Sequence, residues 1–228
     1  MKKVGSVLLV LFCAVLIAGL SVFGTLAYLT DRDSAVNTFT VGQVSISLEE
    51  TDVDKDGDTK ANKYHIVPGG EYVKDPAVTI KAGSEESYVR MIMTVYNASA
   101  VQAIIDDEKN GLTDYTDLFG GWDDKLWLYQ DFTVDEEADT ISFEFRYKDI
   151  VDGYDDSGAE AAQKLPPLFT TVKVPGTLSR EEMGILGEDF KIVIEAHAIQ
   201  AAGFEADADR GLTAADVAWA GFDEQVKR

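Results

Sequence analysis

The run from Thr140 to Tyr147 constrains the fold most strongly. Ile141, Phe143, Phe145 and Tyr147 alternate there with Ser142, Glu144 and Arg146. Successive side chains of a strand point to opposite faces, so this pattern predicts a strand with one apolar and one polar face. The period recurs at residues 88–96, where Val89, Met91, Met93 and Val95 share a face and Arg90 and Thr94 lie opposite. It recurs again at residues 190–200, with Phe190, Ile192, Ile194, Ala196 and Ala198 on one side. Residues 168–174, closed by Pro175-Gly176, and residues 72–80, interrupted by Pro76, add shorter extended stretches. A further strand is expected at residues 125–129. Helical signals are brief: residues 100–107, a turn near 115–119, residues 179–186 behind the capping-box spacing of Ser179 and Glu182, and residues 213–219 behind Thr213 and Asp216. Seven or eight strands without long helices between them argue against parallel βαβ units. They predict a mainly β chain of antiparallel strands in two packed sheets, with short helices in the loops.

The beginning of the chain reads differently. Lys2 and Lys3 precede an uncharged run over residues 4–30. A positive end followed by an apolar stretch is the pattern of an export signal helix. Thr25 and Ala27 are the small residues that precede a cleavage point, which places the cut between Ala27 and Tyr28. Residues 1–27 are then a signal peptide, and residues 28–228 a single secreted domain. The same run is long enough to span a bilayer uncleaved. Both alternatives put the remainder outside the cell. Cys13, the only cysteine, lies in the apolar run, and Phe12 before it argues against lipidation. The exported domain would hold no disulfide and must rest on a hydrophobic core.

Charge narrows the partners. The chain carries a net charge of −21, and −23 once Lys2 and Lys3 leave with the signal peptide. Phosphate backbones would be repelled, so nucleic acid is not expected as a partner. Asp52, Asp54 and Asp56 alternate before Gly57, which is the oxygen spacing of a calcium loop, with Asp58 a candidate fourth ligand. A helix–loop–helix calcium site would place a bidentate acid at the twelfth position, where Lys63 stands. Calcium is the one candidate cofactor, and a solvated acidic loop is the alternative. Catalytic zinc usually takes three protein ligands, whereas His65 and His197 are the only histidines and lie far apart. No nucleophile elbow or phosphate-binding glycine loop is present, and the expectation is a protein that is not an enzyme. Trp122, Trp127 and Tyr129 read as core aromatics, with a carbohydrate-binding surface as the alternative.

Parity also changes within residues 39–48. Phe39 and Val41 are odd, whereas Val44, Ile46 and Leu48 are even, which predicts a bulge or kink at Gly42.

Several of these segments resemble, in order, those of the TasA/camelysin family of Gram-positive bacteria. Gly24-Thr25-Leu26-Ala27-Tyr28-Leu29-Thr30-Asp31 is similar to that family's SipW-type signal peptidase site. Asn37-Thr38-Phe39-Thr40-Val41-Gly42 with Val44, Ile46 and Leu48 resembles its first strand. Val67-Pro68-Gly69-Gly70-Glu71, Tyr88-Val89-Arg90, Phe190-Lys191-Ile192 with Ala196, Ile199-Gln200-Ala201, Gly203-Phe204 and Ala218-Trp219 resemble later segments. The resemblance implies a jelly-roll-like β-sandwich at the cell surface or in a biofilm matrix. It implies processing by a SipW-type signal peptidase and assembly into fibres, in which the N-terminal segment of one copy completes the sheet of the next. Carried over, the donor segment is residues 28–39, with Leu29, Val36 and Phe39 filling apolar sites on a neighbour. Other copies of the chain, and matrix or cell-wall proteins, are the implied partners. A monomeric surface adhesin or binding module is the alternative. Some family members are described as metal-dependent proteases, a reading that the two separated histidines do not support.

Overall fold

The computed structural model of the chain describes residues 30–33, 43–186 and 190–226. Strands come first in order: β1 (Thr30–Asp33), β2 (Ile46–Glu49), β3 (Glu71–Val73), β4 (Ala77–Ile80) and β5 (Ser87–Tyr96). Helix α1 (Ala98–Asp106) follows, then β6 (Phe119–Gly120), β7 (Trp127–Asp135), β8 (Thr140–Tyr147), β9 (Gln163–Lys164) and β10 (Thr171–Lys173). Helix α2 (Arg180–Leu186), β11 (Ile192–Gln200) and α3 (Ala214–Val226) complete the described chain. The fold is mainly β and antiparallel, as the alternating runs predict.

One sheet has five strands in the order β1-β11-β5-β8-β7. Two sheets of three strands, β3-β10-β6 and β2-β4-β9, replace the single second sheet expected from the sequence. Proline explains the split. Pro76 separates β3 from β4, and Pro166-Pro167 stands between β9 and β10, so each stretch changes sheet where a backbone donor is missing. The transfer is visible in the hydrogen bonds: Leu165 donates to Val78, Leu168 to Pro76, and Thr170 to Gly120. For this reason the strand expected over residues 168–174 is only three residues long.

A continuous core joins all three sheets. Met91, Met93, Phe143 and Phe145 meet Ile46, Val78 and Ile80 on one side and Val172 and Val174 on the other. The two small sheets therefore form the layer that faces the large one, a sandwich-like arrangement. Each fully buried aliphatic or aromatic side chain contributes on the order of 1.5–3 kcal/mol. Helix α1 closes one end with Val101, Ile104 and Ile105, which are all buried. Helix α2 begins with the expected capping box: Glu182 N–H donates to Ser179 Oγ (3.3 Å), and Ser179 N–H donates to Glu182 Oε2 (2.7 Å).

The outer face of the large sheet is not solvated as its polar residues predict. Helix α3 lies across it and buries Ala218, Trp219 and Phe222 against Ile199. It runs seven residues beyond the expected end at Trp219. Arg90, expected on a polar face, is 4% exposed beneath it.

Candidate functional site

Strand β11 lies second from one end of the large sheet. Its inner neighbour is β5, and its outer neighbour is β1. The register pairs Thr30 with Ile199, Asp31 with Ala198, Arg32 with His197 and Asp33 with Ala196. The N-terminal residues thus supply the terminal strand of the sheet, joined through backbone hydrogen bonds that require no particular side chain. Twelve residues later the chain reappears as β2 in a different sheet. Of the segment that the parity change divides, Ile46 and Leu48 lie in β2. Gly42, the cleavage residues Ala27 and Tyr28, and the assembly residues Leu29, Val36 and Phe39 lie outside the described residues. No described helix is long and apolar enough to cross a membrane.

Behind this edge stands a buried ionic cluster. Arg90 Nε donates to His197 Nδ1 (3.2 Å), Arg90 Nη1 to Glu144 Oε2 (3.2 Å), and Arg90 Nη2 to Asp223 Oδ1. The guanidinium carbon lies 4.5 Å from the Trp219 ring centre and 5.0 Å from that of Phe222, within cation–π range. The His197 ring stacks on Phe222 at 5.0 Å. Nearby, Arg146 bridges Glu144 (2.5 Å) and Asp216 (2.6 Å). The Thr213 hydroxyl and then Arg146 hold the Asp216 carboxyl below its usual range against an opposing burial effect. His197 Nδ1 thus acts as a hydrogen-bond acceptor toward the guanidinium. The arrangement anchors α3 to strands β5, β8 and β11. It offers no nucleophile or open metal position, and His65 is exposed elsewhere. Neither the burial nor the partners of Arg90 could be read from its alternating position alone. The signal available was the apolar pair Trp219 and Phe222, three residues apart on a C-terminal helix.

The acidic loop is folded on itself. Gly57 N–H donates to Asp52 Oδ2 (2.9 Å), Asp58 N–H to Asp56 Oδ1 (2.9 Å), and Lys63 N–H to Asp54 Oδ2 (3.0 Å). Gly57 takes φ of +89°, a turn that favours glycine. Among the described residues, Asp52, Asp54 and Asp56 form the group able to gather carboxylate oxygens, all within 4.8 Å of one another. Asp58, the expected fourth ligand, stays outside that group, and its Oδ1 accepts from Lys60 N–H (2.8 Å). Asp52 Oδ1 is sealed from solvent without a hydrogen-bond partner. Hard oxygen donors of this kind suit calcium better than zinc. The backbone N–H of Lys63, foremost among several contacts, holds the Asp54 carboxyl low.

The aromatic cluster is largely structural. Trp127 is fully buried, and its Nε1–H donates to Pro166 O (3.0 Å). Trp122 donates to Trp127 O (2.9 Å) and stands edge-on to Phe145. Tyr129 is the exposed member.

No family model, curated protein or solved structure matches this chain.

Proposed function

We propose that the chain is a secreted structural protein of the cell surface or extracellular matrix that assembles by N-terminal strand addition. The observation that carries this reading is the β1–β11 pairing. A terminal strand near the start of the sequence, followed by β2 in another sheet, is the element that a neighbour can supply instead. Backbone pairing makes the exchange nearly neutral in contacts, so assembly is driven by what the rest of the donor segment buries. The resemblance to the TasA/camelysin family supports the same reading, as do the signal-like start and the acidic, cysteine-free domain. In this proposal Leu29, Val36 and Phe39 fill apolar sites on the neighbour, and a SipW-type peptidase frees Tyr28.

The test is deletion of residues 28–38 from the secreted protein. The expected outcome is loss of polymers with retention of a folded monomer, read by electron microscopy and circular dichroism. Unchanged fibres would refute strand addition. One specific observation favours a second reading, a monomeric surface-binding module: β1 pairs within its own chain, which caps the edge. Discrete particles in the undeleted protein, starting at Tyr28, would select it.

A further inference from the structure

The opposite edge of the large sheet presents a different surface. Strand β7 pairs with β8 so that Trp127 faces Tyr147, Tyr129 faces Phe145, Phe132 faces Phe143, and Val134 faces Ile141. Two residues separate Tyr129 from Phe132 where β8 has one, so β7 carries a bulge at Gln130 and Asp131. Without that extra residue, Phe132 and Val134 would turn to the other face. The bulge keeps them in line with the core aromatics, and yet they are not covered. Exposure rises along the strand from 0% at Trp127 to 44% at Tyr129, 49% at Phe132 and 58% at Val134. The ring contacts of Tyr129 with Phe145 (5.8 Å) and of Phe132 with Phe143 (6.2 Å) make the strip an outward continuation of the core. Among the described residues no strand lies outside β7.

We propose that the Tyr129–Phe132–Val134 strip docks a cationic extended segment of another protein. Its alternate apolar side chains would cover the strip, and its lysines or arginines would meet the surrounding acids. Charge selects this occupant. Asp123, Asp124, Asp131, Asp135, Glu136 and Glu137 precede, interrupt and follow the strip in sequence, with Lys125 the single base in that stretch. A second copy would bring the same acids to the contact and be repelled. The donor segment of a second copy carries Asp31 and Asp33 against Arg32, which gives no positive complement. Backbone pairing is directed to the far side of the bulge, because Gln130 Nε2 donates to the carbonyls of Leu128 (3.0 Å) and Tyr129 (3.2 Å). Phe132 N–H is taken by Asp131 Oδ1 (2.8 Å), so the stretch Thr133–Asp135 remains for an added strand. Long-range attraction would speed encounter, and apolar contact would give selectivity. This inference is independent of fibre assembly.

The probe is the peptide Lys-Val-Lys-Phe-Lys-Val-Lys, compared with Lys-Ser-Lys-Gly-Lys-Ser-Lys of equal charge, on the whole secreted chain. Fluorescence anisotropy should show binding of the first at least about tenfold tighter, and amide shifts should fall on residues 127–135. The double variant Phe132→Ser, Val134→Ser should erase the difference between the peptides with its far-ultraviolet circular dichroism unchanged. If that variant fails to fold, Asp131→Lys with Asp135→Lys serves instead and should weaken binding of the lysine–valine–phenylalanine peptide by about tenfold. Equal binding of the two peptides, or a difference that survives the substitutions, overturns the proposal. So does concentration-dependent dimerisation that the double variant abolishes, since the occupant would then be a second copy.

Discussion

The two edges of the five-stranded sheet handle unpaired backbone in opposite ways. At β11 the chain covers the edge with its own residues 30–33 and backs it with α3. At β7 it leaves the edge open, interrupts it with a bulge and flanks it in sequence with carboxylates. Both are recognised means of preventing indiscriminate pairing between sheets. On the two proposals above, the difference lies in what each edge can accept. The covered edge would exchange one strand for another of the same kind. The acidic, bulged edge would reject copies of itself and stay open to partners of opposite charge.

The comparison predicts unequal energetic weight. Arg90→Ala should have the largest effect, about 2–3 kcal/mol of lost stability in urea titrations, because the buried guanidinium's packing against Trp219 and Phe222 and its hydrogen bond to His197 are lost, while Asp223 is exposed enough to be rehydrated. A loss below about 1 kcal/mol would mean that α3 is not what secures the β11 side. Asp216→Asn should cost about 1 kcal/mol, as a cap and a partly exposed ion pair are both weakened. The same carboxylate has a folded-state pKa below its ordinary 3.8. Its contribution is therefore complete above that ordinary value and disappears as pH falls through the lowered one. Melting temperatures followed from pH 7 into acid should decline in that window, and less so in the Asn variant. Val134→Ser should be the smallest effect, within about 0.5 kcal/mol, since the side chain is more than half exposed. A larger loss would show that the β7 strip is part of the core and not an open surface.

Much of the fold was legible because the inner faces obey a simple alternation. Val89, Met91, Met93 and Val95 were identifiable from spacing, as were Ile141, Phe143 and Phe145. The capping boxes at Ser179 and Thr213 were legible for a local reason: their partners stand three residues away. What alternation does not report is the identity of the layer on the other side. Arg90 and His197 look like surface residues until a helix more than a hundred residues downstream of Arg90 supplies Asp223, Trp219 and Phe222. The bulge in β7 was hidden for a similar reason, since Tyr129 and Phe132 have the wrong parity for one unbroken strand. The acidic loop was legible as a pattern, but which of its four carboxylates converge depended on the path of the loop backbone.

The position of β1 has a consequence in time. Its partner β11 is the last of the described strands, so the pair closes the longest loop among the described strand pairings. Synthesis makes β1 before β11, and closing so long a loop is slow compared with forming the hairpins between. On the strand-addition proposal, β1 and β11 of different molecules compete with self-closure during that interval. Local concentration and the pace of synthesis then influence which pairing wins.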